Sequence, residues 1–163
     1  MGSSVSWWAG KVRQFRSHVR ARVAPAERAG LVDWLTPSQL ALFDTMHVAD
    51  RRHGLDVVAT LRAENVRDDE VLLAGLLHDA GKGKTGVWPR VVYALGEHVA
   101  HLEMLGLFRG AKRQEQLRVH AERSAELAAE VGCSPRTVEL IRHQDAPVDP
   151  EAGRLLQLAD DAN

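Results

Sequence analysis

The chain has 163 residues, 45% of them apolar and 26% charged, and a formal net charge of −1. This length is the size of one domain, the mix is that of an ordinary globular protein, and the balanced charge excludes a global field that would gather nucleic acid. The single cysteine, Cys133, excludes an internal disulfide and fits a reducing compartment.

No run of about 18 apolar residues is present to span a bilayer. The N-terminus lacks the apolar core of a signal peptide, and the expected location is cytoplasmic. Met1-Gly2-Ser3-Ser4-Val5-Ser6 matches a short myristoylation pattern that is too loose to carry an assignment.

In chain order, nearly every segment reads as helix. From Trp8, apolar residues recur at Val12, Phe15 and Val19, while Lys11, Arg13, Arg16, Arg20 and Arg22 fill the other face. This basic helix, with Trp7 and Trp8, is expected to dock on the domain with its arginines solvated. A short helix starts at Pro25 and buries Leu31, Trp34 and Leu35. Thr36-Pro37-Ser38-Gln39 is a capping box that opens a helix burying Leu40, Phe43 and Met46.

Asp50 is the expected N-cap of the next helix, with Val57, Val58 and Leu61 inward. Asp68 or Asp69 caps a helix that is apolar on nearly all sides, from Val71 to Leu77, and therefore central. It is expected to end at His78-Asp79, with Gly81 releasing the backbone. Helices follow from Pro89 to Leu95, near Glu97 to Leu107, and from about Ala111 to Val131, closed by Gly132. Ser134-Pro135 starts another, with Val138 and Ile141 inward. Asp149-Pro150 caps the last, carrying Leu155, Leu156 and Leu158. No stretch alternates with period two. The expected fold class is all-α, a single multi-helix domain. Residues 1–45 are expected to supply N-terminal helices packing on the core, and residues 46–163 the metal-binding unit.

His53, the neighbours His78-Asp79, and Asp160 form a candidate site. A divalent ion that performs hydrolysis needs imidazole and carboxylate ligands, with positions left open for water and substrate. Two His and two Asp supply four ligands and offset most of a +2 charge. Neighbours inside a helix point about 100° apart, whereas at a helix end both can turn toward one point. Leu76-Leu77 place the pair in a dry region, where an uncompensated carboxylate is costly. The helix C-terminus also disfavours Asp79 without a cation.

Asp50-Arg51-Arg52-His53, then Leu76-Leu77-His78-Asp79-Ala80-Gly81-Lys82, then Leu158-Ala159-Asp160 resembles the HD-domain superfamily of metal-dependent phosphohydrolases. The likeness runs from about Met46 to Asn163, in the order that superfamily shows. It implies that His53, His78, Asp79 and Asp160 ligate one divalent metal: Mn, Fe, Co, Ni, Zn or Mg. Some relatives hold two ions through further histidines. Here His120 and His143 occupy comparable spacings, with Asp79 as the implied bridge. Where those relatives have two consecutive histidines, this chain has His143-Gln144, and the Gly-Tyr-Pro signature of the cyclic-dinucleotide branch does not follow. Lys82 matches a lysine that faces the substrate's oxygens, and this gives Asp79 and Lys82 the catalytic roles. Lys84 and Arg52 are the expected substrate-binding cations. Gly81-Lys82-Gly83-Lys84-Thr85 is not a phosphate-binding P-loop, since no strand precedes it. His98 and His101, at i and i+3, read as a helix-surface pair.

The expected function is hydrolysis of a small phosphorylated substrate, a phosphomonoester or nucleotide, by metal-activated water. Two alternatives share the fold: a non-catalytic sensor or interaction domain, and a di-iron oxygenase.

Overall fold

Helix starts here are set by side chains that take up the N–H groups a first turn leaves unbonded. The computed structural model describes residues 21–82 and 119–163. Helix α1 spans Pro25–Leu31. Helix α2 spans Pro37–Thr45 behind the expected reciprocal cap: Gln39 N donates to Thr36 Oγ1 at 3.3 Å, and Thr36 N donates to Gln39 Oε1 at 3.0 Å.

Helix α3 spans Val48–Ala63 and corrects one expectation. Its cap is His47, whose Nδ1 accepts from Ala49 N at 3.3 Å, and not Asp50. A neutral imidazole nitrogen accepts as a carboxylate does, so the helix begins earlier and Asp50 lies buried inside its first turn. Helix α4, Asp69–Leu77, is capped by Asp68, which accepts from Glu70 N at 3.0 Å. A 3₁₀ turn follows at Ala80–Lys82. Helix α5 is described over residues 119–130 and closes at Gly132. Helix α6 is Pro135–Arg142, capped by Ser134. Helix α7 is Ala152–Ala162. Asp149 accepts from the N–H groups of Glu151 and Ala152, so α7 starts just beyond the expected Asp149-Pro150 boundary.

Every regular element among the described residues is helical, and the fold is all-α. None of these helices is long and apolar enough to cross a membrane. The expected helices at Trp8–Val19, Pro89–Leu95 and Glu97–Leu107, the start of the one at Ala111, and Lys84, His98 and His101 lie outside the described residues.

Helix α4 is the centre, with α3, α6 and α7 packed around it. Val71, Leu72, Ala74, Leu76 and Leu77 are all buried, and each large side chain among them contributes roughly 1.5–3 kcal/mol by leaving water. Leu31, Leu35, Leu42 and Phe43, from α1, α2 and the link between them, join the same core. Helix α7 buries Ala152, Leu156 and Ala159, whereas Leu158 is exposed. It stands about 200° round the helix from Leu156, on the outer face.

The expected role of Gly81 is also corrected. Gly132 is the one glycine with positive φ among the described residues, so Gly81 does not end α4 through a left-handed backbone. It permits contact instead: a β-carbon there would lie 2.5 Å from both His120 O and Ser124 N of α5. Helix α5 meets it with a small-residue face, Ala121, Ser124, Ala125 and Ala128, all buried.

Candidate metal centre

Three segments bring the candidate residues together. His53 comes from α3, His78 and Asp79 follow the end of α4, and Asp160 lies in the last turn of α7. His53 Nε2 is 2.7 Å from Asp160 Oδ1. His78 Nε2 is 3.4 Å from the same oxygen and 3.6 Å from Asp79 Oδ1. One ligand atom each from His53, His78 and Asp160 lies within 4.8 Å of the other two, so these three could hold a divalent ion. The two imidazole rings stand edge to face, 5.2 Å apart.

Burial grades across the cluster. His78 and Asp79 are 2% and 3% exposed, whereas the Asp160 side chain is 40% exposed. The cluster therefore has a closed floor at the end of α4 and an open side at α7.

The donor set of His78 tests whether an ion fits. Its Nδ1–H donates to Gly75 O at 2.9 Å, which fixes the tautomer and leaves a lone pair on Nε2. That Nε2 is buried and has no hydrogen-bond partner. A buried polar atom without a partner is rare and costly, and one facing two carboxylates is suited to a cation. A metal-ligating histidine commonly donates its other ring N–H to a carbonyl in this way.

The charges respond to one another. Burial works against the Asp79 carboxylate, yet the charges of His78 and Lys82 bring its pKa down to about 2. Burial likewise works against a charged His78, but Asp79 and Asp160 push its pKa up to about 9, so a proton competes with an ion for the Nε2 lone pair that faces those carboxylates. Asp160 is also held well below the ordinary carboxylate range: its burial is outweighed by the hydrogen bond to His53 and by the charges of His78 and His53.

Lys82 Nζ bonds Asp79 Oδ2, and His120 Nε2 on α5 is 3.7 Å from Asp79 Oδ1. A lysine and a histidine thus flank the buried carboxylate. Arg52 is held between Glu27 of α1 and Asp56 of α3. His143 is placed differently. Its Nε2 is 3.3 Å from Glu139 Oε2, and it lines a cavity of about 280 Å³ with Arg136, Leu140, Pro147 and Val148, to which none of His53, His78, Asp79 and Asp160 contributes.

Several contributors carried no functional signal in the sequence. Gly54 abuts the Leu76 carbonyl, Ser124 Oγ accepts from Gly81 N at 2.8 Å, and Gln144 Nε2 donates to His78 O at 3.2 Å.

A helical scaffold thus gathers two histidines and two aspartates at the end of its central helix, and three of them could hold a metal ion. The family model described as HD domain matches residues 49–162, and the chain belongs to that family, within the superfamily of metal-dependent phosphohydrolases it resembles. No curated protein and no solved structure matches the chain.

Proposed function

We propose that the protein is a metal-dependent phosphohydrolase acting on a phosphomonoester or nucleotide. His53, His78, Asp79 and Asp160 would hold the ion, through the three closely grouped ligand atoms and the adjacent Asp79 Oδ1. The observation that carries the reading is the buried, unbonded Nε2 of His78, aimed at two carboxylates. A bound divalent ion supplies Lewis acidity toward a phosphoryl oxygen and an acidified water.

The chain's own residues then have distinct tasks. The buried floor at His78 and Asp79 excludes bulk water, which strengthens every charge interaction there. Lys82, anchored on Asp79, presents its ammonium to phosphoryl oxygens as a point charge. His120, beside Asp79, holds or passes a proton at Nε2. Arg52 and Lys84 are the proposed substrate-binding cations. The open side at Asp160 is where substrate would enter.

The test is metal content per chain, followed by a phosphoester screen with that metal. The expected result is about one equivalent of Mn, Fe, Co, Ni or Zn, lost in Asp79→Ala together with turnover. Turnover retained by a metal-free Asp79→Ala protein would overturn the reading. Metal binding without hydrolysis of any phosphoester would assign the chain to a non-catalytic binding role, and two irons with oxygen consumption to an oxygenase.

A further inference from the structure

We propose that Gln144 and Ser124 form a two-point clamp that positions the His78–Asp79 pair; the inference rests on the metal reading above. Helix α4 ends at Leu77, so its last carbonyls have no partner within the helix. Two side chains and one backbone N–H bond the carbonyls at and just beyond this end. Gly75 O accepts from His78 Nδ1–H. His78 O accepts from the Gln144 amide at 3.2 Å. Asp79 O accepts from Lys82 N at 3.1 Å. One peptide further on, Gly81 N donates to Ser124 Oγ at 2.8 Å.

Asp79 therefore lies between two tethered backbone groups. One tether comes from the end of α6, where Gln144 N donates to Ile141 O at 3.3 Å. The other comes from α5. Both clamping side chains are buried, Gln144 at 7% and Ser124 at 0% exposure, so water cannot easily replace either bond. The chemistry fixes the residue types. A carbonyl needs a donor, which the glutamine amide has and a carboxylate or thioether lacks. The backbone N–H of Gly81 needs an acceptor that reaches it without bulk, which a serine hydroxyl provides.

This assigns a task to the position where a histidine was expected and Gln144 stands. Its amide is spent on the His78 carbonyl. It is a positioning residue that acts through the backbone of the pair. Groups that orient ligands in this way are typically worth about 10–100-fold in metal affinity.

The test is a Co²⁺ titration of the full chain, read by calorimetry and by visible absorption, beside the thermal midpoint of the metal-free protein. Gln144→Met keeps the size and removes the donor; Ser124→Ala removes the acceptor and little volume. The expected result is Co²⁺ affinity lowered about 10–100-fold in each, with an altered ligand-field band, while each variant stays folded. The double variant should lose less than the product of the single losses, because one turn is released. A lower midpoint with wild-type affinity and an unchanged band would make both residues merely structural and overturn the clamp. If Gln144→Met does not fold, Ser124→Ala decides alone on the same readouts. Failure of the wild type to bind Co²⁺ would instead overturn the metal reading, and the clamp with it.

Discussion

Gly54 of α3 lies directly against the backbone of Leu76 in α4: a β-carbon on Gly54 would sit 2.5 Å from Leu76 O and 3.2 Å from Leu76 C. Those atoms are main chain and cannot rotate away. Gly54 follows His53, so the approach that puts the helices in contact also delivers the His53 ring to within 5.2 Å of His78. Gly54→Ala should push the helices apart. Overpacking costs roughly 1–3 kcal/mol, partly offset by about 1 kcal/mol of helix propensity. The net loss of stability is therefore small, while metal affinity has no such offset and should fall at least tenfold. Thermal melts and a metal titration separate the two, and wild-type affinity would show that this contact does not set the His53 position.

Lys82 and an ion would compete for the same carboxylate, since Lys82 Nζ bonds Asp79 Oδ2. Lys82→Met removes a positive charge beside the centre. Metal affinity should therefore stay equal or rise. Turnover should fall about 10²–10³-fold, the usual cost of losing one group that stabilises developing charge. Parallel loss of metal and turnover would show that Lys82 supports the ligands rather than the substrate.

The local signals in this sequence were easily read where one side chain does one job. The caps at Thr36, Asp68 and Ser134 stand where a short polar side chain precedes an apolar period, and the apolar run from Val71 to Leu77 became the central helix. Ligand atoms of His53, His78 and Asp160 lie within 4.8 Å of one another, with Asp79 Oδ1 3.6 Å from His78 Nε2. The missed features depend on partners far along the chain. Gly54 reads locally as a weak helix former, and only its contact with Leu76 shows its use. Gly81 reads as a helix stop because proximity to α5 leaves no local pattern. Gln144 reads as a missing histidine until the His78 carbonyl appears beside its amide. His47 caps α3 with a ring nitrogen, where a short polar side chain is the usual choice.

Arg136 of α6 pairs with Asp68 and Glu70 at the start of α4. The Arg136 hydrogen bond is the main cause holding the Asp68 carboxyl below its usual value of 3.8; Glu70 is lowered first by Ser134 and then by Arg136. A carboxyl depressed in the folded state contributes stability above its unfolded pKa, and loses it as pH falls through the folded value. Wild type should thus exceed Arg136→Gln in stability at pH 7 and pH 5, and the gap should begin to shrink as pH drops below 4.5, where Glu70 ordinarily titrates, and further below 3.8. The gap is about 0.2–1 kcal/mol, because these side chains are well exposed and screened. Urea melts at pH 7, 5 and 3.5 test this, and a gap that widens in acid would assign Arg136 a different role.

A ligand that binds only the folded chain raises its stability by about 2.7 kcal/mol at a hundredfold excess over Kd. For a domain of this size, that corresponds to a rise of roughly 5–10 °C in Tm. Mn²⁺ or Co²⁺ at that level should produce this shift in the wild type, and a chelator should reverse it. Asp160→Asn should abolish the shift, because Asp160 Oδ1 is the carboxylate oxygen that faces the Nε2 atoms of both His53 and His78, at 2.7 and 3.4 Å. His143→Ala should keep it, because His143 faces Glu139 and lines the cavity of Leu140 and Pro147 instead. The contrast fixes which histidines serve the ion. Loss of the shift in His143→Ala would place His143 among the ligands and favour a two-ion centre, whereas its retention beside a silent Asp160→Asn confines binding to the end of α4.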